Sequence, residues 1–213
     1  MLFRSMKDRE LGRLYMMADA KQAIYTSEWL PPTGVTTLEL TSNVRNPAKI
    51  GAIVERLGGA PVARGSAPGP DVHVRTASGL REARKHVERS ISYAMDSLHI
   101  PPSQILVLTP HRDLRDSLIQ EVGGNVRLSR WENRTEETAT CETVHRTKGL
   151  ERQAVILVDL DEVPDLKIAY IGLSRASAYL SVTGRQALIR AITSEKSGGV
   201  EEHQRTEHEE CGG

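Results

Sequence analysis

The chain has 213 residues, a length that suits one α/β domain with additional segments at its ends. Its 28 basic and 28 acidic residues give a net charge of zero, which excludes a protein coated in phosphate-binding charge but leaves room for a local nucleic-acid groove. With only two cysteines, Cys141 and Cys211, and no apolar run of membrane-spanning length, no disulfide framework or membrane segment is predicted, and we expect a cytoplasmic protein.

Short apolar runs alternate with helical patterns along most of the chain. A strand is predicted at 35–40, followed by a helix in which Asn46 can act as the N-cap and Pro47 occupies the first turn. Further strands are predicted at 71–76, 104–109, 125–129, 140–145, 154–160 and 178–183. Further helices are predicted at 79–98, 111–122, about 165–176 and up to about 193. Strands separated by crossover helices indicate a mostly parallel sheet with helices on both faces.

The last segment, residues 195–213, differs in composition from the rest. It carries six acids against two basic residues, two glycine pairs and almost nothing apolar, so a disordered acidic tail is predicted. His203, His208 and Cys211 in this tail lack the spacing of zinc ligands, and no metal site is predicted.

The run AVILVDLDE, residues 154–162, could be the metal-binding strand of an ATPase, but any buried parallel strand can have this pattern. A P-loop requires G-x-x-x-x-G-K-[ST], whose backbone amides and lysine hold the phosphates. The chain contains no Gly-Lys dipeptide and therefore has no P-loop of its own. Asp159, Asp161 and Glu162 are accordingly not assigned to magnesium.

Four segments, in chain order, resemble motifs III to VI of UvrD-like superfamily 1 helicases. LYMMADAKQAIY (14–25) is similar to motif III, LELTSNVRNPAKI (38–50) to motif IV, TVHRTKGLE (143–151) to motif V and YIGLSRA (170–176) to motif VI. The resemblance implies an α/β, RecA-like fold. Residues 1–30 would be the remnant of a first RecA-like domain, residues 31–194 the second RecA-like domain, and residues 195–213 the tail. In this family the P-loop and the magnesium-binding acids belong to the first domain, upstream of motif III.

The resemblance also implies a nucleotide site shared between the two domains, with ATP in the cleft and Mg²⁺ held by the missing first domain. Arg175 matches the motif VI arginine finger, Arg45 the motif IV arginine and Gln22 the motif III glutamine. Guanidinium groups suit the charge that develops on a phosphate because they stay protonated. Glu151 matches the acid that binds the ribose, and Gly149 allows close backbone approach. A surface or salt-bridging role is the alternative for each arginine taken alone.

Single-stranded DNA contacts are implied for motif V, where Thr143 and His145 match positions near the DNA backbone. A hydroxyl and an imidazole can donate to phosphate oxygens without base preference. Lys148 could contact phosphate or support the turn. His111 follows the strand at 104–109, where ligands gather in open α/β sheets, so DNA contact and a capped helix start are both open.

Some residues depart from the family pattern or add little to it. Ala18 replaces the usual glycine before Asp19, and Arg152 follows Glu151 where an aromatic or apolar residue is usual. Aromatic residues make up only 4% of the chain, so Trp29 and Trp131 are predicted to be packing residues and not a base-stacking platform.

The leading hypothesis is the C-terminal portion of an ATP-dependent DNA helicase, whose partners are single-stranded DNA and a first RecA-like domain in cis or in trans. With half of the site, the isolated chain is predicted not to turn over ATP. Two alternatives stay open. One is a non-catalytic remnant that binds nucleic acid or a partner protein, and the other is a subunit of a split helicase.

Overall fold

A computed structural model describes residues 33, 34, 36, 38, 41–124, 126–147 and 149–194. The predicted first-domain remnant and acidic tail lie outside these residues, as do Gln22, Trp29 and Lys148. Within the predicted strand at 35–40, the described residues Thr36 and Leu38 are exposed and not in a strand. The strand prediction is wrong at these two positions, because alternating apolar residues form a strand only where a neighbouring strand and a core receive them.

The described part of the chain contains one six-stranded sheet, in the order β1-β6-β5-β2-β4-β3, in which every neighbouring pair is parallel. The strands are β1 His73–Thr76, β2 Ile105–Thr109, β3 Arg127–Ser129, β4 Thr138–Thr143, β5 Arg152–Asp159 and β6 Ala176–Gly184. All of β2 and the last six residues of β5 are buried, as expected for apolar strands covered on both faces. The prediction of a mostly parallel sheet is confirmed.

Five α-helices cover the two faces of this sheet. They are α1 Ala48–Arg56, α2 Leu80–Ser92, α3 Arg112–Glu121, α4 Leu166–Leu173 and α5 Gln186–Thr193. Apolar side chains of α1, α4 and α5 pack in one core with Leu106 and Leu157, while those of α2 and α3 pack in a second core with Val107 and Ile156. The predicted helix at 79–98 is α-helical to Ser92 and continues as a π-helical turn over Tyr93–Ser97. No helix among the described residues is long and apolar enough to span a membrane.

The start of α1 differs from the prediction. Pro47 is the N-cap, and no side chain caps the helix. The assignment of Asn46 as the cap is wrong, because its side chain is 4% exposed and bonds to backbone carbonyl groups far along the chain. Buried carbonyl groups need donors, and here that demand outweighs local capping.

Two neighbouring connections contain no α-helix. The segment between β3 and β4 has a 3₁₀ turn at Trp131–Asn133, and the segment between β4 and β5 has one at Val144–Thr147. Val144 belongs to the core under α1 and α4, so the second connection crosses that face of the sheet. An ion pair between Arg146 and Glu132 joins the two turns.

Candidate functional site

Because all strands run the same way, the sheet has an amino edge, where strands begin, and a carboxyl edge, where they end. Glu151 directly precedes β5 and Arg175 directly precedes the neighbouring β6, so both lie at the amino edge. Thr143 ends β4 and His111 follows the neighbouring β2, so both lie at the carboxyl edge. Glu151 and Arg175, predicted to contact nucleotide, are therefore at the opposite edge of the sheet from Thr143 and His111, predicted to contact DNA.

At the amino edge, Arg45 and Glu151 form an ion pair. The Nε atom of Arg45 lies 3.3 Å from Oε2 of Glu151, and the two side chains are 45% and 48% exposed. The turn carrying Arg45 is held by Asn43, whose Oδ1 accepts the backbone N–H groups of Arg45 and Asn46, each at 3.2 Å. The structure thus brings together two predicted site residues, with both charged groups still accessible to a ligand.

Gly149 lies in the turn that leads to Glu151. Its φ angle is +86°, a conformation that L side chains rarely adopt, and beyond the glycine and its two chain neighbours no described atom would come within 4 Å of an added Cβ. The turn is closed by a hydrogen bond from the Leu150 N–H to the Thr147 carbonyl at 3.0 Å. Glycine is therefore required here by backbone conformation, and the space beside it is open.

Arg175 is placed at the amino edge by its backbone, but its side chain is only 3% exposed. Its Nε donates to the carbonyl of Ile171, in the last turn of α4, at 3.2 Å. A cation is favourable at a helix C-terminus, where carbonyl groups lack intrahelical partners. Its own carbonyl accepts the N–H of Arg152 at 3.1 Å, which joins the motif VI turn to the residue after Glu151.

Asn46 connects the motif IV segment to the motif VI turn. Its Nδ2 donates to the carbonyl of Ala176 at 2.6 Å and lies 3.4 Å from the carbonyl of Ser174, the residues on either side of Arg175. Its Oδ1 accepts from Nδ2 of Asn43 at 2.9 Å. Sequence reasoning missed this contact, although the two asparagines that flank Val44 and Arg45 are visible in the segment NVRN.

At the carboxyl edge, the predicted DNA residues differ in accessibility. His145 and His111 are exposed, whereas Thr143 is 3% exposed and pairs in register with Thr109 of β2. His111 is the N-cap residue of α3, but its side chain makes no capping bond. Its Nε2 instead lies 2.7 Å from Oδ2 of Asp161. Of the two open roles for His111, side-chain capping is therefore absent.

The carboxyl edge also contains buried polar groups. Asp159 is 3% exposed and accepts the N–H of Asp161 at 2.9 Å, and burial raises the pKa of its carboxyl group above the ordinary value of 3.8. The hydroxyl groups of Thr109 and Thr183 are buried and have no hydrogen-bond partner among the described residues. Among all the residues that the structure describes, no cluster of three His, Cys, Asp or Glu side chains could hold a metal ion.

An ion-pair network anchors the residue after His145. Arg146 Nη1 lies 3.1 Å from Oε2 of Glu142, whose other oxygen lies 2.7 Å from Nη1 of Arg115. Glu142 and Arg115 are buried, with side chains 1% and 6% exposed. The 3₁₀ turn at Val144–Thr147 is thus held in place by the ion pair of Arg146 with Glu142, which is itself paired with the buried Arg115.

Trp131 is partly buried beside this turn and packs against guanidinium groups. The Cζ atoms of Arg134 and Arg152 lie 4.0 Å and 5.4 Å from its ring centroid. Arg152, the residue that follows Glu151, therefore has a cation–π partner in Trp131.

The arrangement of strands and helices matches a solved structure. The C-terminal domain of a possible DNA helicase from Lactobacillus plantarum superposes with a TM-score of 0.56 at 17% identity, over 70% of this chain and 91% of that one. The chain has the fold of a helicase C-terminal domain. The predicted α/β, RecA-like fold class is confirmed, and at this identity the likeness concerns the fold alone.

A second solved structure, the arterivirus nonstructural protein 10 (helicase), gives a TM-score of 0.37 at 12% identity, over 72% of this chain and 27% of that one. No protein-family model and no curated protein matches the chain.

Proposed function

We propose that the chain is the C-terminal portion of an ATP-dependent DNA helicase, supplying γ-phosphate-sensing arginines and part of the single-stranded DNA track. The observation that carries this proposal is the meeting of Arg45 and Glu151 at 3.3 Å, beside the turn that contains Arg175. The fold likeness to a helicase C-terminal domain supports it.

The residues at the amino edge fit a nucleotide in part. Arg45 and Glu151 are half-exposed, so phosphate oxygens can replace the carboxylate beside Arg45, and ribose hydroxyls can donate to the released carboxylate. Arg175 would have to leave the carbonyl of Ile171 before its guanidinium could reach a ligand. Bound ATP, with Mg²⁺ held by the first domain, would supply the phosphoryl-transfer chemistry. Gln22 would link the γ-phosphate to the DNA-binding surface.

At the carboxyl edge, His145 and His111 would contact the sugar–phosphate backbone of a single strand. Lys148 is proposed as a further phosphate contact, and the buried Thr143 would have to become exposed to join the track. Both histidines are exposed and carry N–H donors that suit phosphate oxygens without base preference. A DNA phosphate at His111 would displace Asp161 as its partner.

Two observations favour a non-catalytic role as the second candidate. The Arg175 guanidinium is buried in the chain as it stands, and the sequence contains no P-loop to hold phosphates. On this hypothesis the chain binds nucleic acid or a partner protein and has no catalytic function. Both hypotheses predict negligible ATP turnover by the isolated chain, so turnover alone does not separate them.

The separation of the two edges gives a direct experiment. The ¹⁵N-labelled chain would be titrated, in separate samples, with the Mg²⁺ complex of a non-hydrolysable ATP analogue and with an oligo-dT strand, and amide shifts would be followed. We expect the nucleotide to shift amides at 43–46, 149–151 and 172–176, and the oligonucleotide to shift those at 109, 111–112 and 143–147.

Arg45→Ala and His145→Ala serve as reciprocal controls, since each should weaken the response to one ligand and leave the other intact. A response to oligo-dT without any response to the nucleotide would favour the non-catalytic role. Shifts at the same edge with both ligands would contradict the proposed division of the sheet.

A further inference from the structure

We infer that Asn46 is a positioning residue for Arg175. The inference rests on the proposed function for the catalytic role of Arg175, and on geometry for the contact itself. The two residues are distant in sequence, and they are joined by hydrogen bonds from the Asn46 amide to the backbone on both sides of Arg175.

The amide is held in one orientation. Carbonyl oxygens accept hydrogen bonds and cannot donate them, so the atom facing Ser174 and Ala176 must be Nδ2. The remaining atom, Oδ1, faces the Nδ2 donor of Asn43. Every partner of Asn46 therefore agrees with the same assignment, and at 4% exposure water has little access to compete.

The contact is specific for an amide. An aspartate of the same shape would lose the donor and place a negative charge against two carbonyl dipoles in a buried position. A leucine would leave the Ala176 carbonyl, now 2.6 Å from its donor, without that partner. Serine could still donate a single hydrogen bond, but from a shorter side chain.

The two asparagines hold the backbone at or beside both arginines of the amino edge. Asn43 fixes the backbone N–H of Arg45, and Asn46 fixes the carbonyl groups that flank Arg175. Because the two asparagines also bond to each other, one short segment sets the distance between the motif IV and motif VI turns. Neither asparagine needs to touch a nucleotide to do this.

The first test is hydrogen exchange on the full chain without ligand. Asn46→Asp should accelerate hydrogen exchange of the amides of Arg152, Ser174 and Arg175 by about tenfold. Losing a buried hydrogen-bond donor should raise the equilibrium constant for local opening by about that factor. Amides in β2 should keep their wild-type rates. Asn133→Asp makes the same chemical change at an exposed position and should leave all of these rates unaltered.

The second test separates positioning from packing. The Nε–H resonance of Arg175 would be followed during titration with the Mg²⁺ complex of the ATP analogue. In Asn46→Asp this response should be lost or reduced at least several-fold, while the amides of Arg45 and Glu151 still respond. Should Asn46→Asp fail to fold, Asn46→Ser takes its place and should show an intermediate loss.

Three outcomes would count against the inference. Unchanged hydrogen-exchange rates of the Ser174 and Arg175 amides in both Asn46→Asp and Asn46→Ser would overturn the contact itself. A wild-type response of Arg175 that persists in the variants would overturn the positioning role and leave the proposed function intact. No nucleotide response in the wild-type chain would count against the proposed function, and the positioning role would fall with it.

Discussion

The guanidinium of Arg45 and the carboxylate of Glu151 form an ion pair at 3.3 Å, although four of the six strands, β1 to β4, lie between them in the sequence. Both side chains are about half exposed, which makes the ion pair easy to exchange with solvent or with a ligand. A phosphate group entering between them would gain a bidentate donor and release a carboxylate. The pair is therefore a resting arrangement from which both proposed nucleotide contacts can form.

Glu151→Gln should change the free energy of unfolding by less than about 1 kcal/mol, because exposed ion pairs contribute little. Urea denaturation of the purified chain measures this. Asp71→Asn, which breaks the exposed pair between Lys49 and Asp71, is the matched control and should be similarly mild. A much larger loss in Glu151→Gln than in the control would assign Arg45 and Glu151 to folding and weaken their proposed role in nucleotide binding.

Gly149→Ala should destabilise the chain by roughly 1–2 kcal/mol, since its φ of +86° brings a Cβ close to the backbone carbonyl. The control is Gly123→Ala, where an added Cβ likewise meets no described atom but the φ angle is not positive. Thermal or urea unfolding of both variants would compare them. Equal effects at the two glycines would show that the motif V turn relaxes without strain.

Glu142→Gln should be destabilising, by about 2 kcal/mol or more, because it removes one of the two carboxylates that pair with the buried Arg115 and leaves Asp116 as the other. Glu132→Gln changes the exposed end of the same network and should have a much smaller effect. Urea denaturation at constant pH measures both. If Glu142→Gln were as mild as Glu132→Gln, water would have to reach Arg115 in the native state.

Asp159→Asn should stabilise the chain at pH 7. Burial raises the pKa of Asp159 above its ordinary 3.8, so the folded state carries a cost once the carboxyl ionises, and that cost is absent below pH 3.8, where both states are protonated. The gain from asparagine should therefore disappear as the pH falls below that value. Urea denaturation at pH 7 and at pH 3.5 would show it.

Asp116 gives the opposite sign and serves as the control for Asp159. Its hydrogen bond with Arg115 lowers the pKa of Asp116, so this carboxylate contributes stability above pH 3.8 that is lost as the pH falls through its folded pKa. Asp116→Asn should destabilise the chain at pH 7 and have little effect in acid. The same sign for both variants would contradict the assigned environments.

Much of the fold could be predicted because apolar periodicity reports burial directly. The run at 104–109 contains the buried strand Ile105–Thr109, and the apolar stripe of 79–98 faces the core. The end of β4 was predicted two residues too late. Val144 is apolar and buried, but it belongs to a 3₁₀ turn, and an apolar residue alone does not distinguish a strand from a turn that crosses the sheet.

The candidate site was harder to predict than the fold. Periodicity gives no information on the proximity of Arg45 and Glu151. The family resemblance identified both as nucleotide contacts but did not predict their ion pair. The burial of Arg175 runs against the usual exposure of arginine, and the role of Asn46 depends on carbonyl groups distant in sequence. Local rules for asparagine favour capping, and only the folded chain shows which acceptor it finds.

The helix-free connection between β4 and β5 has a mechanical consequence. It must descend from the carboxyl edge to the amino edge, a height of about 20 Å for a strand as long as β4, and residues 144–151 can span at most about 28 Å when fully extended. Part of that length is already wound into the 3₁₀ turn at Val144–Thr147. The connection between Thr143 and Arg152 is therefore short, so we expect a displacement of His145 by a bound strand to be transmitted to Glu151 unless the turn at Val144–Thr147 or the turn closed by Leu150 unwinds to absorb it.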